Sequence, residues 1–193
     1  MVRISLTRVI SALGVVGLAG SLAGGAVSDL RAQSPAGTVD VRFFYDAPST
    51  VEPTYHTAIW LEDKDGRIVK TLYVSQELSD IAYKLGNACP DWVKVAHWSA
   101  APKAEVAAVT APTPNVGTGA MTFDLARLGV APGTYGFRFQ VHISDEYNIL
   151  YRGPITVGGP SGAVTLETVY GPGKLDSTDQ FVRDMEVRYV APR

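Results

Sequence analysis

Alternation with period two is the clearest signal in this chain, and it first appears where Val39, Val41, Phe43 and Tyr45 are interleaved with Asp40 and Arg42. Residues two apart in an extended segment point to one face, so this run predicts a half-buried strand. The run from Tyr55 to Glu62 is apolar on both faces in its middle, at Ala58, Ile59, Trp60 and Leu61, which predicts an interior strand covered on two sides. Lys64-Asp65-Gly66 then separates it from Ile68 to Val74, and Asp-Gly between two such runs predicts a hairpin. Two registers remain open: a two-residue loop sets Trp60 opposite Thr71, and a three-residue loop with Gly66 in a bulge sets it opposite Lys70.

From Gln76 the period changes. Leu78, Ile81, Ala82 and Leu85 recur at helical spacing, and Gly86 stands at the C-terminal cap position. A second helical turn or two follows Pro90, with Trp92, Val95 and Ala96 inward, so the pattern predicts a helical insertion over about 77–98. Residues 99–119 are rich in Ala, Pro, Thr and Gly and read as a long connection with at most a short strand at Val106 to Thr110.

Strands return with Met121, Phe123 and Leu125. Pro132-Gly133 opens the cleanest of them, with Tyr135, Phe137, Phe139, Val141 and Ile143 on one face and Arg138, Gln140 and His142 on the other. That polar face is expected to meet solvent or a ligand. Ile149 to Val157, Val164 to Tyr170 and Phe181 to Tyr189 complete the set. Short strands with turn signals at this spacing predict a mainly β protein, an antiparallel β-sandwich carrying a short helical insertion.

The first 32 residues read differently. Arg3 and Arg8 precede an apolar run to Leu22, and small residues follow to Ala32, the order of a secretory signal peptide. Glycines at positions 14, 17, 20, 24 and 25 interrupt the run, which falls short of the ~20 apolar residues a spanning helix needs. Cleavage is expected near Gln33, with Ala26 as a competing position. Residues 33–193 then form one domain, periplasmic or secreted, with no membrane segment left after cleavage. The 193-residue chain has a net charge of −2, which gives no basic footprint for nucleic acid.

The run from His56 to Leu72, then Pro90-Asp91-Trp92, then Pro132-Gly133-Thr134-Tyr135, resembles the predicted periplasmic proteins grouped as domain of unknown function 2271. The similarity spans about residues 39–158. It implies an immunoglobulin-like sandwich behind a signal peptide and carries no established activity with it. Members of the group often bear a segment like the covalent flavin attachment signal of exported flavoproteins. Here that stretch reads Ala107-Ala108-Val109-Thr110-Ala111-Pro112-Thr113, without the Asp and the Gly, so no flavin ester is expected on Thr113 and no cofactor is expected at all.

No nucleophile elbow, phosphate loop, zincin helix or paired-cysteine motif occurs. The candidate metal ligands are Cys89, His97, His56 and His142, because thiolate and imidazole suit copper or zinc. Cys89 and His97 share a helix face only if the helix begins before Cys89, against the grain of Pro90. Plain packing competes with each reading: a buried thiol for Cys89, a sheet-edge hydrogen bond for His56, and a solvated polar face for His142. Trp60, Trp92 and Trp98 are a possible ligand face or, equally, core aromatics. Asp145-Glu146 reads as a hairpin tip, and Glu62-Asp63 with Asp65 reads as a calcium site or as a tight polar turn. The sequence thus favours a noncatalytic binding or interaction module with an unidentified protein or small-molecule partner. The alternative is an accessory of periplasmic redox or metal handling.

Overall fold

Val39, Val41, Phe43 and Tyr45 are sealed from solvent along the inner side of β1 (Thr38–Tyr45), as the alternation requires. The computed structural model describes residues 36–47, 52–173 and 181–193, all within one unit, Ala32–Arg193. The expected signal peptide and its cleavage point lie outside the described residues. The remaining strands are β2 (His56–Glu62), β3 (Ile68–Ser75), β4 (Thr110–Ala111), β5 (Gly117–Asp124), β6 (Gly133–Ser144), β7 (Tyr147–Val157), β8 (Gly162–Ala163), β9 (Glu167–Gly171) and β10 (Val182–Val190). They build two sheets, a four-stranded one in the order β5-β1-β10-β8 and a six-stranded one in the order β4-β3-β2-β6-β7-β9.

The two sheets form a β-sandwich around one core. Phe43 and Tyr45 of β1 meet Ile59 and Leu61 of β2 and Phe137, Phe139, Val141 and Ile143 of β6 there, with Phe43 and Phe139 in edge contact at 5.3 Å between ring centres. The apolar face read on β6 is therefore the core face, and only Tyr135, near the strand's start, is incompletely buried. Every ladder is antiparallel except β3 with β4.

A second core lies on the other face of the six-stranded sheet. Ala58, Trp60 and Val74 project outward from β2 and β3, and Leu150 from β7, onto Leu78, Ala82, Cys89, Trp92, Trp98 and Val109. These belong to a helical cover made of α1 (Gln76–Asp80), α2 (Pro90–Ala96) and α3 (Lys103–Val109), with 3-10 turns at Ala82–Lys84 and Trp98–Ala100. Interior β2 is buried on both faces over its whole length, as its sequence predicts.

Four readings need correction. The stripe Leu78, Ile81, Ala82, Leu85 is only half inward: Leu78 and Ala82 are buried, while Ile81 and Leu85 are 58% and 68% exposed. The cause is a break at Ile81, whose φ of −140° ends α1 before the stripe completes. The segment Val106 to Thr110 is helical up to Val109, because Lys-Ala-Glu-Val-Ala-Ala-Val after Pro102 is a run of mostly good helix formers with an acidic first turn. The run Val164 to Tyr170 is not one strand: β8 pairs with β10 and β9 with β7, so the chain crosses from one sheet to the other between Ala163 and Glu167. The polar face of β6 meets solvent only in part: Gln140 and His142 are buried, while Arg138 keeps partial exposure.

The hairpin uses both registers. Asp63 N donates to the Arg67 carbonyl at 2.9 Å, closing a three-residue loop with Gly66 at φ +74°. Glu62 faces Ile68 in that register, and an irregularity between Glu62 and Leu61 then shifts the ladder so that Leu61 faces Lys70 and Trp60 faces Thr71. Such bulges let Leu72 and Tyr73 both reach the sandwich core.

Candidate functional site

Pro90 suits the first position of a helix, where its missing N–H costs nothing, and it opens α2 behind Cys89, which sits in the left-handed region at φ +48°. A helix start leaves amide groups without partners. Here a side chain from the sheet supplies the acceptor: Gln140 Oε1 on β6 takes the amides of Asp91 at 3.1 Å and Trp92 at 3.2 Å, and Gln140 Nε2 donates to Asp91 Oδ2 at 2.6 Å.

Asn148 at the start of β7 holds the preceding turn. Its Oδ1 accepts the Cys89 amide at 2.9 Å, and its Nδ2 donates to the carbonyls of Asn87 and Glu146, both at 2.8 Å. Asn87 reaches back to the Asp145 carbonyl at 2.6 Å. The Cys89 thiol points inward, 3.3 Å from the His56 carbonyl and 3.6 Å from that of Gln140. Complete burial pushes its pKa well up, so the thiol is held protonated as a donor and is not poised as a ligand or nucleophile.

His56 and His142 face each other across β2 and β6, their rings 5.8 Å apart and 18° from parallel. His56 lies on an interior strand and not at a sheet edge, and neither ring is solvated: they are 7% and 5% exposed. Burial holds His142 below the usual histidine range, reinforced by His56. His56 Nε2 lies 3.3 Å from Glu77 Oε2, within ion-pair range but out of hydrogen-bond alignment.

The structure brings Cys89, His56 and His142 together and leaves His97 out. His97 terminates α2 at the opposite end, exposed and left-handed. Among the described residues no group of three His, Cys, Asp or Glu is arranged to hold a metal ion. The tryptophans pack as core rather than as an open ligand face: Trp60 donates to Glu62 Oε1 at 2.7 Å, and Trp92 and Trp98 rings meet at 5.0 Å. Glu62 also pairs with Arg138 at 2.9 Å. Asp63 accepts the amides of Asp65 and Arg67, and Asp65 pairs with Lys64 and Arg67. Glu62 is taken up by Trp60 and Arg138 while Asp63 and Asp65 both serve the turn at Arg67, and among the described residues the three do not converge on a calcium position.

Beside this clamped turn a cleft of about 440 Å³ opens between the cover and strands β7 and β9. Pro90, Leu150, Val169 and Pro172 give it an apolar floor, and Asp91 and Glu146 stand at it as exposed carboxylates. Gln140 and Asn148, which fix its wall, were not singled out as site residues by pattern. Their types on a strand carry no signal until the cover is placed over them.

No curated protein and no solved structure matches the chain. The run from Tyr45 to Tyr170, which takes in β2 to β8, the cover and most of the cleft lining, coincides with a known family. The family's sequence model matches residues 45–170, and the chain belongs to DUF2271, described as a predicted periplasmic protein family.

Proposed function

We propose that this periplasmic protein is a noncatalytic binding module and that the cleft beside Pro90 and Leu150 takes its ligand. The observation that carries the reading is the pairing of an apolar floor with the carboxylates of Asp91 and Glu146, on a turn clamped to rigid strands by Gln140 and Asn148. Binding groups on irregular backbone over a stiff scaffold are a common arrangement, and concave apolar sites with a few polar groups are the usual form of a small-molecule pocket. The chemistry favours a ligand, or a partner's side chain, with an apolar body and a basic group.

Titrating isotope-labelled protein with arylalkyl amines, followed by amide chemical shifts, tests this. Shifts confined to Gly86–Asp91, Leu150 and Val169, and weakened in Asp91→Asn, are expected. Arylalkyl carboxylates of the same size should leave those amides in place. Perturbation scattered over the sandwich, or equal response to both series, would remove the cleft as the site.

A further inference from the structure

His56 Nδ1, His56 Nε2 and His142 Nδ1 are buried and find no hydrogen-bond partner among the described residues. A buried polar atom without a partner is costly, and three around one pair of rings call for a role. A neutral imidazole carries one donor and one acceptor, whereas the cation carries two donors, each needing an acceptor. Like charges directly opposite on neighbouring strands repel. At 5.8 Å and nearly parallel, these rings are compatible with being neutral and hostile to being charged together.

We propose that His56 and His142 form a proton-operated latch that holds the arm from Gln76 to Cys89 against the six-stranded sheet and lets it loosen on acidification.

The arm is tied to this pair at several points. Cys89 donates its thiol to the His56 carbonyl and its amide to Asn148, which lies beside His142. Asn87 bridges Asn148 and the Asp145 carbonyl, and Glu77 approaches His56. Its grip on the sheet is limited to a few points, Leu78, Ala82, Ala88 and Cys89, because α1 is five residues long and Ile81 and Leu85 face solvent. Segments with few buried contacts open at low cost. α2 is anchored to the sheet by Trp92, which donates to Thr71, and by Gln140, while Trp98 beyond it donates to Ser79 of α1 and is the arm's tie to the rest of the cover.

The groups facing the pair set the order of events. From α1, Glu77, itself 66% exposed, offers a counter-charge to His56. From the turn between β6 and β7, Asp145 favours a charged His142, as does Asn148, but burial and His56 oppose it more strongly. From the arm, Cys89 contributes a neutral thiol. Two charged rings cannot be accommodated at this spacing without movement. His142 has a depressed pKa in the closed form, so the open form binds more protons as pH falls below about 6.5, and acid favours opening. The arm's protection is fully present above that pH and declines below it.

Hydrogen exchange of the full chain at pH 7.5 and 5.0, corrected for intrinsic rates, reads this without any ligand and so stands apart from the binding proposal. Peptides spanning 76–89 should lose several-fold in protection at pH 5.0, while β1, β6 and β10 keep theirs. His56→Gln with His142→Gln should abolish the pH dependence, and Glu77→Gln, which removes the counter-charge, should strengthen it. Equal protection of the arm at both pH values, or the same acid loss in the double variant, would overturn the latch. So would uptake of one zinc per chain at pH 7.5 that the double variant lacks, because the pair would then be a metal site. Should the double variant not fold, imidazole proton shifts of the unmodified protein decide: His142 titrating below the ordinary histidine range supports the latch, and two independent, unperturbed titrations refute it.

Discussion

Gln140 and Asp91 hold each other twice, the glutamine oxygen accepting the aspartate's backbone amide at 3.1 Å while the glutamine nitrogen donates to its carboxylate at 2.6 Å. The first helical turn of α2 is thereby capped by a strand of the underlying sheet.

Gln140→Ala should therefore cost about 2–3 kcal/mol, combining a lost helix cap with buried groups left without a partner. Urea denaturation checks it, and a loss within ~0.5 kcal/mol would show that water replaces the side chain at no expense.

Cys89 should be inert to a thiol reagent such as Ellman's in the native protein at pH 8 and react at once in 6 M guanidinium. The prediction rests on complete burial and the raised pKa it causes. Stoichiometric reaction of the native state within seconds would contradict the structure.

Phe137→Ala should destabilise by ~3–5 kcal/mol, as truncation of a fully buried aromatic does. A change below ~1 kcal/mol, by thermal or chemical denaturation, would mean that this face of β6 is not core.

Gly119 on β5 lies against the Phe43 ring, and a Cβ placed there would stand 2.2 Å from it. Gly119→Ala is expected to cost ~1–3 kcal/mol through overpacking. The informative control is Gly162→Ala, where nothing lies within 4 Å, and its melting temperature should stay nearly unchanged.

Much of the sandwich was legible because its signal is local. Val39, Val41, Phe43 and Tyr45, and again Phe137 to Ile143, alternate cleanly, since one face of each strand is core and the other is not. The doubly apolar middle of β2 even announced a second covering layer. The site was far less legible. His142 and Gln140 look like solvent-facing residues when β6 is read alone, and only the long-range return of Asn87–Trp92 onto that face buries them. The pairing of His56 with His142 depends on the β2–β6 register, which two segments more than 70 positions apart settle between them. Ile81 and Leu85 misled for a similar reason: helical spacing is visible in sequence, and a single backbone break at Ile81 is not.

The crossing from β8 to β9 has a counterpart on the other flank, where the chain runs from β4 at the edge of one sheet to β5 at the edge of the other. Tyr73 fastens that second seam by donating its hydroxyl to the Pro112 carbonyl at 2.6 Å, and Val164 fastens the first through the Val187 carbonyl at 2.8 Å. The sandwich is thus bound like a sleeve along both sides by its own backbone, and the two sheets cannot be pried apart sideways without drawing a covalent strap taut. Movement compatible with an intact sandwich is left to the layer outside it, so an external signal such as acidity or a ligand would be felt in the cover before the core.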